Sequence, residues 1–443
     1  MSDFNFAREP ASDEEFASCT GKAVSTLDGI EWESFNAANM AVDSKQLDEI
    51  AALIETLCSA CNSEQRARIL NENGVWSMVG RLMNASKPTE ELSKFKAQVP
   101  PDMMAKILAA AQKGEEIKKE DLSMPTQENL TEEERHGKEL LQDWSRLRRA
   151  TLGVLRNALR YPNTNMIKES VASESELVQH LSEVSAEVLE EGVNVSYSFT
   201  ILRFLVTNES PEKGVTAWQR SVVSECIRDP VLDYIIGSAV TSRVIHLPDG
   251  TKLWVHMEAT RLVASLVLLV DKEELPRLLL ATRALCDGIL LTKNIAMHIE
   301  MGRCLLRLIE DCPNASRAVF KKEASEPVRP LNLMIEFNDR RIIHSFLGML
   351  IMGTNAYLSD KAEESKQSVL LSLRLLHYIG EECADQLLAQ DAEKILSTIA
   401  PAIPEAKDVL AYINANASEP TEPVHPAESE KPTASRWFYC PLL

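Results

Sequence analysis

A leucine–arginine pair followed by a polar corner that stops a helix recurs along the chain, and it constrains the fold more than any other feature. Leu155-Arg156 is followed by Pro162-Asn163, and Leu306-Arg307 is followed by Pro313-Asn314. Proline ends a helix because it lacks the amide hydrogen and its ring clashes with the preceding turn. Looser copies begin at Leu57, Leu202 and Leu373. Such recurrence predicts stacked helical units, since one unit cannot bury its apolar face alone.

The composition also favours helices over sheet. Hydrophobic residues make up 45% of the 443 residues, but aromatic residues make up only 5%. Strands are enriched in aromatic and β-branched residues, whereas Leu, Ala and Glu are good helix formers. The sequence therefore predicts an all-α protein of roughly seven to nine units, each within the usual repeat length of about 40–47 residues.

Changes in composition divide the chain into three parts. Residues 1–45 are acidic and interrupted by Pro and Gly, which predicts a poorly ordered N-terminus. Residues 46–412 carry the helical stripes, with a charged, proline-punctuated insertion at 86–135. Residues 413–443 are rich in Pro, Ser, Thr and Glu, which predicts a disordered linker and tail.

Two segments leave alternatives open. The insertion at 86–135 is either a solvated loop carrying one amphipathic helix, around residues 103–111, or a segment that binds a partner or is regulated. Pro248-Asp249-Gly250 is a turn signal, which either joins two short strands in a hairpin or links two helices.

One unit has the residue order of an armadillo repeat, in which a polar corner with Asn precedes a short helix bearing Ile, a Gly turn and a helix closing on a Leu pair. The residues in that order are Asn62, Ile69, Gly74 and Leu82. The central unit carries Asn157, Asn163 and Ile167 in the same order. The chain therefore resembles armadillo-repeat proteins, including the ataxin-10-like ones, with later units closer to the HEAT type. The resemblance implies that the fold is a right-handed helical-repeat solenoid. It also implies a function as a scaffold, an adaptor or a regulator of small GTPases.

A His-x-Glu-x-x-Arg pattern occurs twice, at His256 and at His298, 42 residues apart. The resemblance implies that the third helix of each unit lines the concave groove, where such residues could grip an extended partner. The competing interpretation is that a Glu and an Arg three residues apart form an ordinary surface pair. The predicted partner-binding residues are Arg156, Asn157, Arg203, His256, Glu258, Arg261, His298, Glu300 and Arg303.

Catalytic and metal motifs are missing from the sequence. There is no phosphate loop, nucleophile elbow or zinc-protease motif, and the two His/Glu pairs lack the spacing of zinc ligands. Cys58 and Cys61 form a C-x-x-C inside an apolar helix stripe, which favours buried thiols over a redox motif. We therefore expect no enzyme activity, metal or cofactor. An enzyme with a non-standard site at His256 and His298 is the least favoured alternative.

The net charge limits the kinds of partner that the protein can bind, and the targeting signals indicate its cellular compartment. The formal net charge is −19, which disfavours nucleic-acid binding, because phosphate contacts need clustered Lys and Arg. The cysteines lack paired spacing and the first residues lack a signal-peptide pattern, which predicts a cytoplasmic protein. The longest apolar run, residues 262–270, is too short to span a bilayer.

The last four residues, Cys440-Pro441-Leu442-Leu443, resemble a prenylation box whose terminal Leu directs geranylgeranylation. One lipid needs a second contact for stable anchoring, and Trp437-Phe438-Tyr439 could supply it at the membrane interface. This pattern predicts peripheral membrane association through Cys440. The alternative is an unmodified tail that folds back on the protein, as in a soluble chaperone cofactor or transport adaptor.

Overall fold

The computed structural model describes residues 10–95, 131–184, 190–207, 214–241, 244–246, 252–312 and 341–417. These residues are mostly helical, so the predicted all-α class is confirmed. The amphipathic segment predicted around 103–111, the corner at Pro313-Asn314 and the tail with Cys440 lie outside the described residues.

The chain divides into two compact units. Unit 1 is Met1–Gly288 with Glu310–Cys312, and unit 2 is Ile289–Ile309 with Pro313–Leu443. The described helices up to residue 291 are α1 (Asp13–Asp28), α2 (Ser44–Ala60), α3 (Glu64–Glu72), α4 (Val75–Ala85), α5 (Glu90–Ser93), α6 (Glu132–Leu159), α7 (Asn165–Ser173), α8 (Ser175–Val184), α9 (Gly192–Val206), α10 (Ala217–Ile227), α11 (Val231–Val240), α12 (Val255–Leu269), α13 (Leu275–Leu278) and α14 (Thr282–Leu291). The later ones are α15 (Ile295–Asp311), α16 (Arg341–Asp360), α17 (Glu363–Leu388), α18 (Ala392–Ile399) and α19 (Glu405–Asn416).

Helix α1 lies within the stretch predicted to be poorly ordered. Its side chains Phe16, Ala23 and Leu27 are buried against α3 and α4, and the Ser12 hydroxyl caps its first turn. The prediction failed because it averaged an acidic composition over 45 residues. The acidic side chains occupy the first turn and solvent side of α1, where they favour a helix, while a narrow apolar stripe faces the core.

The edges of the charged insertion also differ from the prediction. Helix α6 begins at Glu132, inside the predicted range, because Thr131 and Glu134 form a capping box that satisfies its first amide groups. At the other edge, α5 places Leu92 in the core against α6. The part of the insertion between these elements, residues 96–130, lies outside the described residues.

Within the described residues of unit 1, the same order of two short helices and a longer packed helix recurs three times. The helix triplets are α3-α4-α6, α7-α8-α9 and α10-α11-α12. The last helices of the triplets pack side by side, and α2 extends the row, so that the order is α2, α6, α9, α12. Phe199 and Leu262, both fully buried, lie in this row, and burial of each such side chain stabilises the fold by about 1.5–3 kcal/mol.

Short paired strands lie on both sides of residues 247–251, which are outside the described residues, so the hairpin alternative is correct. Strands β1 (Val244–His246) and β2 (Lys252–Trp254) pair antiparallel, with Val244 opposite Trp254. The hairpin ends directly at α12, whose first residue is Val255.

In unit 2, α16 packs along α17, and α17 packs along α19. The stretch Ile342–Asp360 of α16 is long and apolar enough to cross a membrane by length and composition, but half of it is buried inside the protein. Ile343, Phe346 and Leu350 are fully buried. Core helices often share these properties, so the stretch is weak evidence for a membrane span.

Candidate functional site

Polar side chains join α2 to α6 at the start of the helix row. Arg146 donates from Nε and Nη2 to the carboxylate of Glu55 at 2.8 and 2.6 Å, and from Nη1 to Asp48 at 2.5 Å. Asn157 donates from Nδ2 to the carbonyl oxygen of Cys58 at 2.8 Å. The predicted residue Asn157 is therefore half-buried and engaged in holding the two helices together.

Between α6 and α9, an arginine stacks on an aromatic ring. The guanidinium carbon of the predicted residue Arg156 lies 4.8 Å from the centre of the Tyr197 ring. A guanidinium over an aromatic face is attracted by the ring's quadrupole, and the contact holds its plane in place. Both side chains are partly exposed.

Between α9 and α12, the predicted residues Arg203, Glu258 and Arg261 come together. Glu258 accepts from Thr200 Oγ1 at 3.1 Å and from Arg261 Nη1 at 3.3 Å, and Arg203 Nε lies 3.8 Å from its carboxylate. The Arg203 guanidinium also lies 4.7 Å from the centre of the Phe204 ring. The Glu258 and Arg261 side chains are 24% and 30% exposed, so this cluster is accessible to solvent.

These residues define the candidate site, which we call the arginine face. It consists of Arg156, Tyr197, Arg203, Phe204, Glu258 and Arg261 on α6, α9 and α12. Three arginines and one glutamate give it two net positive charges. Such a surface can bind a partner through charge-assisted hydrogen bonds.

The two histidines do not belong to this face. His256 is 4% exposed and His298 is 0% exposed. His298 donates from Nε2 to the carbonyl oxygens of Thr292 and Ile289, at 2.9 and 3.1 Å. Burial lowers the pKa of His298, while these two carbonyl acceptors oppose that shift. The prediction that the histidines grip a partner therefore has to be corrected, because both are packed in the core.

Glu300 and Arg303 lie on α15 in unit 2. Arg303 is exposed and Glu300 is partly buried. Both are therefore kept as partner-facing candidates of unit 2, separate from the arginine face of unit 1.

The sequence reasoning missed Tyr197, Thr200 and Phe204. Tyr197 and Phe204 are seven residues apart, which places them on one side of α9 two turns apart. That spacing was visible in the sequence, but nothing local indicates that arginines would stack on these rings.

The described residues give no positive sign of a metal or thiol centre. Among them, no group of three His, Cys, Asp or Glu side chains is placed to hold a metal ion. Burial raises the pKa of Cys58 to about 11 and that of Cys61 to about 12. A thiol with such a pKa is protonated at neutral pH and is a poor nucleophile, which favours packing roles for the half-buried Cys58 and the buried Cys61.

No protein-family model matches the chain, and comparison with curated proteins gives no significant match.

Proposed function

We propose that this protein is a non-enzymatic, protein-binding scaffold whose partner lies along the arginine face. The observation that carries the proposal is the clustering of partly exposed Arg156, Arg203 and Arg261 on adjacent helices of a chain with a net charge of −19. Arginine and aromatic residues are the types most enriched at the energetic centres of protein interfaces. Buried apolar residues alone would explain the row of helices but not this cluster.

The architecture that we propose is a right-handed armadillo/HEAT-like solenoid. The three helix triplets of unit 1 and the row formed by their last helices support it. In repeat proteins of this type each repeat packs on its neighbours and the stack offers an extended concave binding surface. The arginine face would then lie on that surface, as the sequence resemblance implies.

The test compares partners of the full chain in its own cells by proximity labelling. The double variant Arg156→Glu, Arg203→Glu should lose at least one labelled protein, because reversed charges repel what the arginines attract. The matched control is Arg68→Glu, at an exposed arginine on α3 whose ion-pair partner among the described residues is Glu64. Identical partner sets for all three proteins would overturn the proposal, provided that circular dichroism shows the variants to be folded.

The membrane tether is a separate proposal, and it holds only if Cys440 is the fourth residue from the carboxyl terminus of the mature protein. Under that condition, the protein would be geranylgeranylated at Cys440 and held at a cytoplasmic membrane surface. The intact mass of the protein from its own cells, compared with a Cys440→Ser variant, tests it. An unmodified Cys440 would favour the soluble chaperone cofactor or transport adaptor instead.

A further inference from the structure

We propose that the partner segment is acidic and extended, and that one of its Asp or Glu carboxylates pairs with Arg156. This inference rests on the proposed function and specifies the chemistry of the partner. It follows from a difference between the two ends of the arginine face: the arginines at one end have a carboxylate partner, and the arginine at the other end does not have one among the described residues.

At one end of the face, the arginines already have a carboxylate partner from the protein's own chain. Glu258 lies between Arg203 and Arg261 and accepts a hydrogen bond from Arg261. At the other end, Arg156 stacks on Tyr197, and no carboxylate among the described residues lies within salt-bridge distance of its guanidinium. The face is therefore satisfied internally at one end and offers a cation at the other.

Stacking on Tyr197 preorganises the Arg156 guanidinium for binding a carboxylate. The guanidinium carbon of Arg156 lies over the Tyr197 ring, and a guanidinium stacked on an aromatic face keeps the N–H groups at its edge available for other partners. These groups match the two oxygens of a carboxylate in a bidentate pair. Because Tyr197 already limits the rotation of the side chain, less conformational entropy is lost on binding.

Charge selects a carboxylate segment over other anions. A phosphoryl group concentrates up to about two negative charges at one point, where Arg156 supplies a single positive charge. A nucleic acid needs several neutralised phosphates, and two net positive charges on a strongly acidic chain do not supply them. A segment whose carboxylates are single and spaced apart fits the arginine face, because the positive charge of the face exceeds its negative charge by only two.

The experiment measures binding of labelled peptides to the full chain by fluorescence anisotropy. The peptides have about 12 residues: the axes of α6, α9 and α12 span about 20 Å, which an extended chain crosses in about six residues, and the rest flank this stretch on both sides. Four versions share one backbone sequence and carry Glu, Gln, Lys or phosphoserine at the variable positions. A single-stranded oligonucleotide is the fifth probe.

The Glu peptide should bind best, and its affinity should fall as salt is added. Arg156→Gln should weaken this binding at least about tenfold, which is the loss expected when a charge-assisted pair is removed. Arg156→Lys should weaken it to an intermediate degree, because charge is kept but bidentate geometry is lost. Arg68→Gln is the control and should bind like the wild type.

Equal binding by wild type and Arg156→Gln would overturn the inference, as would stronger binding of the phosphoserine, Lys or nucleic-acid probe. The cellular experiment separates this failure from failure of the scaffold proposal. If the double variant loses a cellular partner while the Glu peptide does not bind, the scaffold proposal stands and only the acidic chemistry is wrong. If the variant loses no partner, both are wrong.

Discussion

Arg148 donates from Nε to Oε2 of Glu190 at 2.5 Å, and the two side chains are only 5% and 1% exposed. Arg148 also donates from Nη1 to the carbonyl oxygen of Met83 at 2.7 Å, and Asn194 donates to the second oxygen of Glu190 at 2.7 Å. Buried charges are tolerated only when paired and hydrogen-bonded in this way. This pair therefore fixes α4, α6 and the start of α9 relative to one another.

Glu190→Gln should destabilise unit 1 by about 3–5 kcal/mol, because it leaves the buried charge of Arg148 without its counter-charge. The neighbouring pair is a matched control: Arg149 and Glu191 lie at 2.8 Å, but their side chains are 43% and 33% exposed. Glu191→Gln should cost less than about 1 kcal/mol. Hydrogen exchange of α6 amides measures both changes. Equal effects of the two substitutions would mean that burial does not determine the strength of the Arg148 pair.

Helices α2 and α6 approach closely where Gly153 faces Cys58. A Cβ atom at position 153 would lie 2.5 Å from the Cys58 sulfur, so Gly153→Ala should destabilise the protein by about 1–3 kcal/mol through overpacking. Adding Cys58→Ala should recover much of this loss, because it removes the clashing sulfur. Gly80→Ala is the control, since its Cβ would lie at an ordinary 3.7 Å from Leu177. Urea unfolding of the wild type, Gly153→Ala, Cys58→Ala and the double variant gives the coupling energy, and a coupling near zero would contradict the contact.

Local patterns were sufficient for the helical class, whereas at Pro248-Asp249-Gly250 they left a hairpin and a link between two helices as alternatives. The helical class and the hairpin both depend on residues close in sequence, such as the capping residues of α6 and the paired strands β1 and β2. The arginine face depends instead on which helices pack against each other. It also depends on the position of each helix along the axis of its neighbour. Arg156 meets Tyr197 only because α6 and α9 pack side by side, and no local pattern encodes that position.

The histidines illustrate a different limit. A repeat of 42 residues identifies equivalent positions, but it does not determine which side of the helix faces solvent. His256 and Glu258 are two residues apart, which puts them on nearly opposite sides of a helix, whereas Glu258 and Arg261 share one side. Once Glu258 and Arg261 point to solvent, His256 is directed to the core, as observed. The helical period itself therefore argued against a face that included all three residues.

Stability should fall with rising pH in the alkaline range because of buried thiols. Burial raises the pKa of Cys226 from 9.0 to about 12. Above pH 9 the unfolded chain loses this proton while the folded chain keeps it, so each further pH unit favours unfolding by up to about 1.4 kcal/mol per such thiol until the folded pKa is reached. Cys226→Ala should therefore show a shallower loss of stability between pH 9 and the folded pKa. The free energy of unfolding is measured by urea at each pH for both proteins. An equal loss of this free energy with pH in the wild type and in Cys226→Ala would contradict a buried, protonated thiol.

One arginine holds the N-terminal helix to the rest of unit 1. Arg66 donates from Nε to Asp13 at 3.0 Å, from Nη1 to the carbonyl oxygen of Ala60 at 2.9 Å and from Nη2 to that of Pro10 at 3.1 Å. Its guanidinium carbon lies 5.3 Å from the centre of the Phe16 ring. Three separate nitrogen atoms are thus used at once, which a lysine ammonium on a flexible stem cannot reproduce.

Arg66→Lys should therefore increase hydrogen exchange throughout α1 while leaving α9 unchanged, since it removes hydrogen bonds that involve charge and contribute about 1.5–3 kcal/mol each. Arg68→Lys is the control two residues away, because the Arg68 side chain is 51% exposed and, within the part of the chain that the structure describes, pairs with Glu64 on the surface. Unchanged exchange in α1 of Arg66→Lys would mean that the buried stripe of Phe16, Ala23 and Leu27 is sufficient to dock this helix. In that case the arginine would only satisfy the carbonyl groups around it.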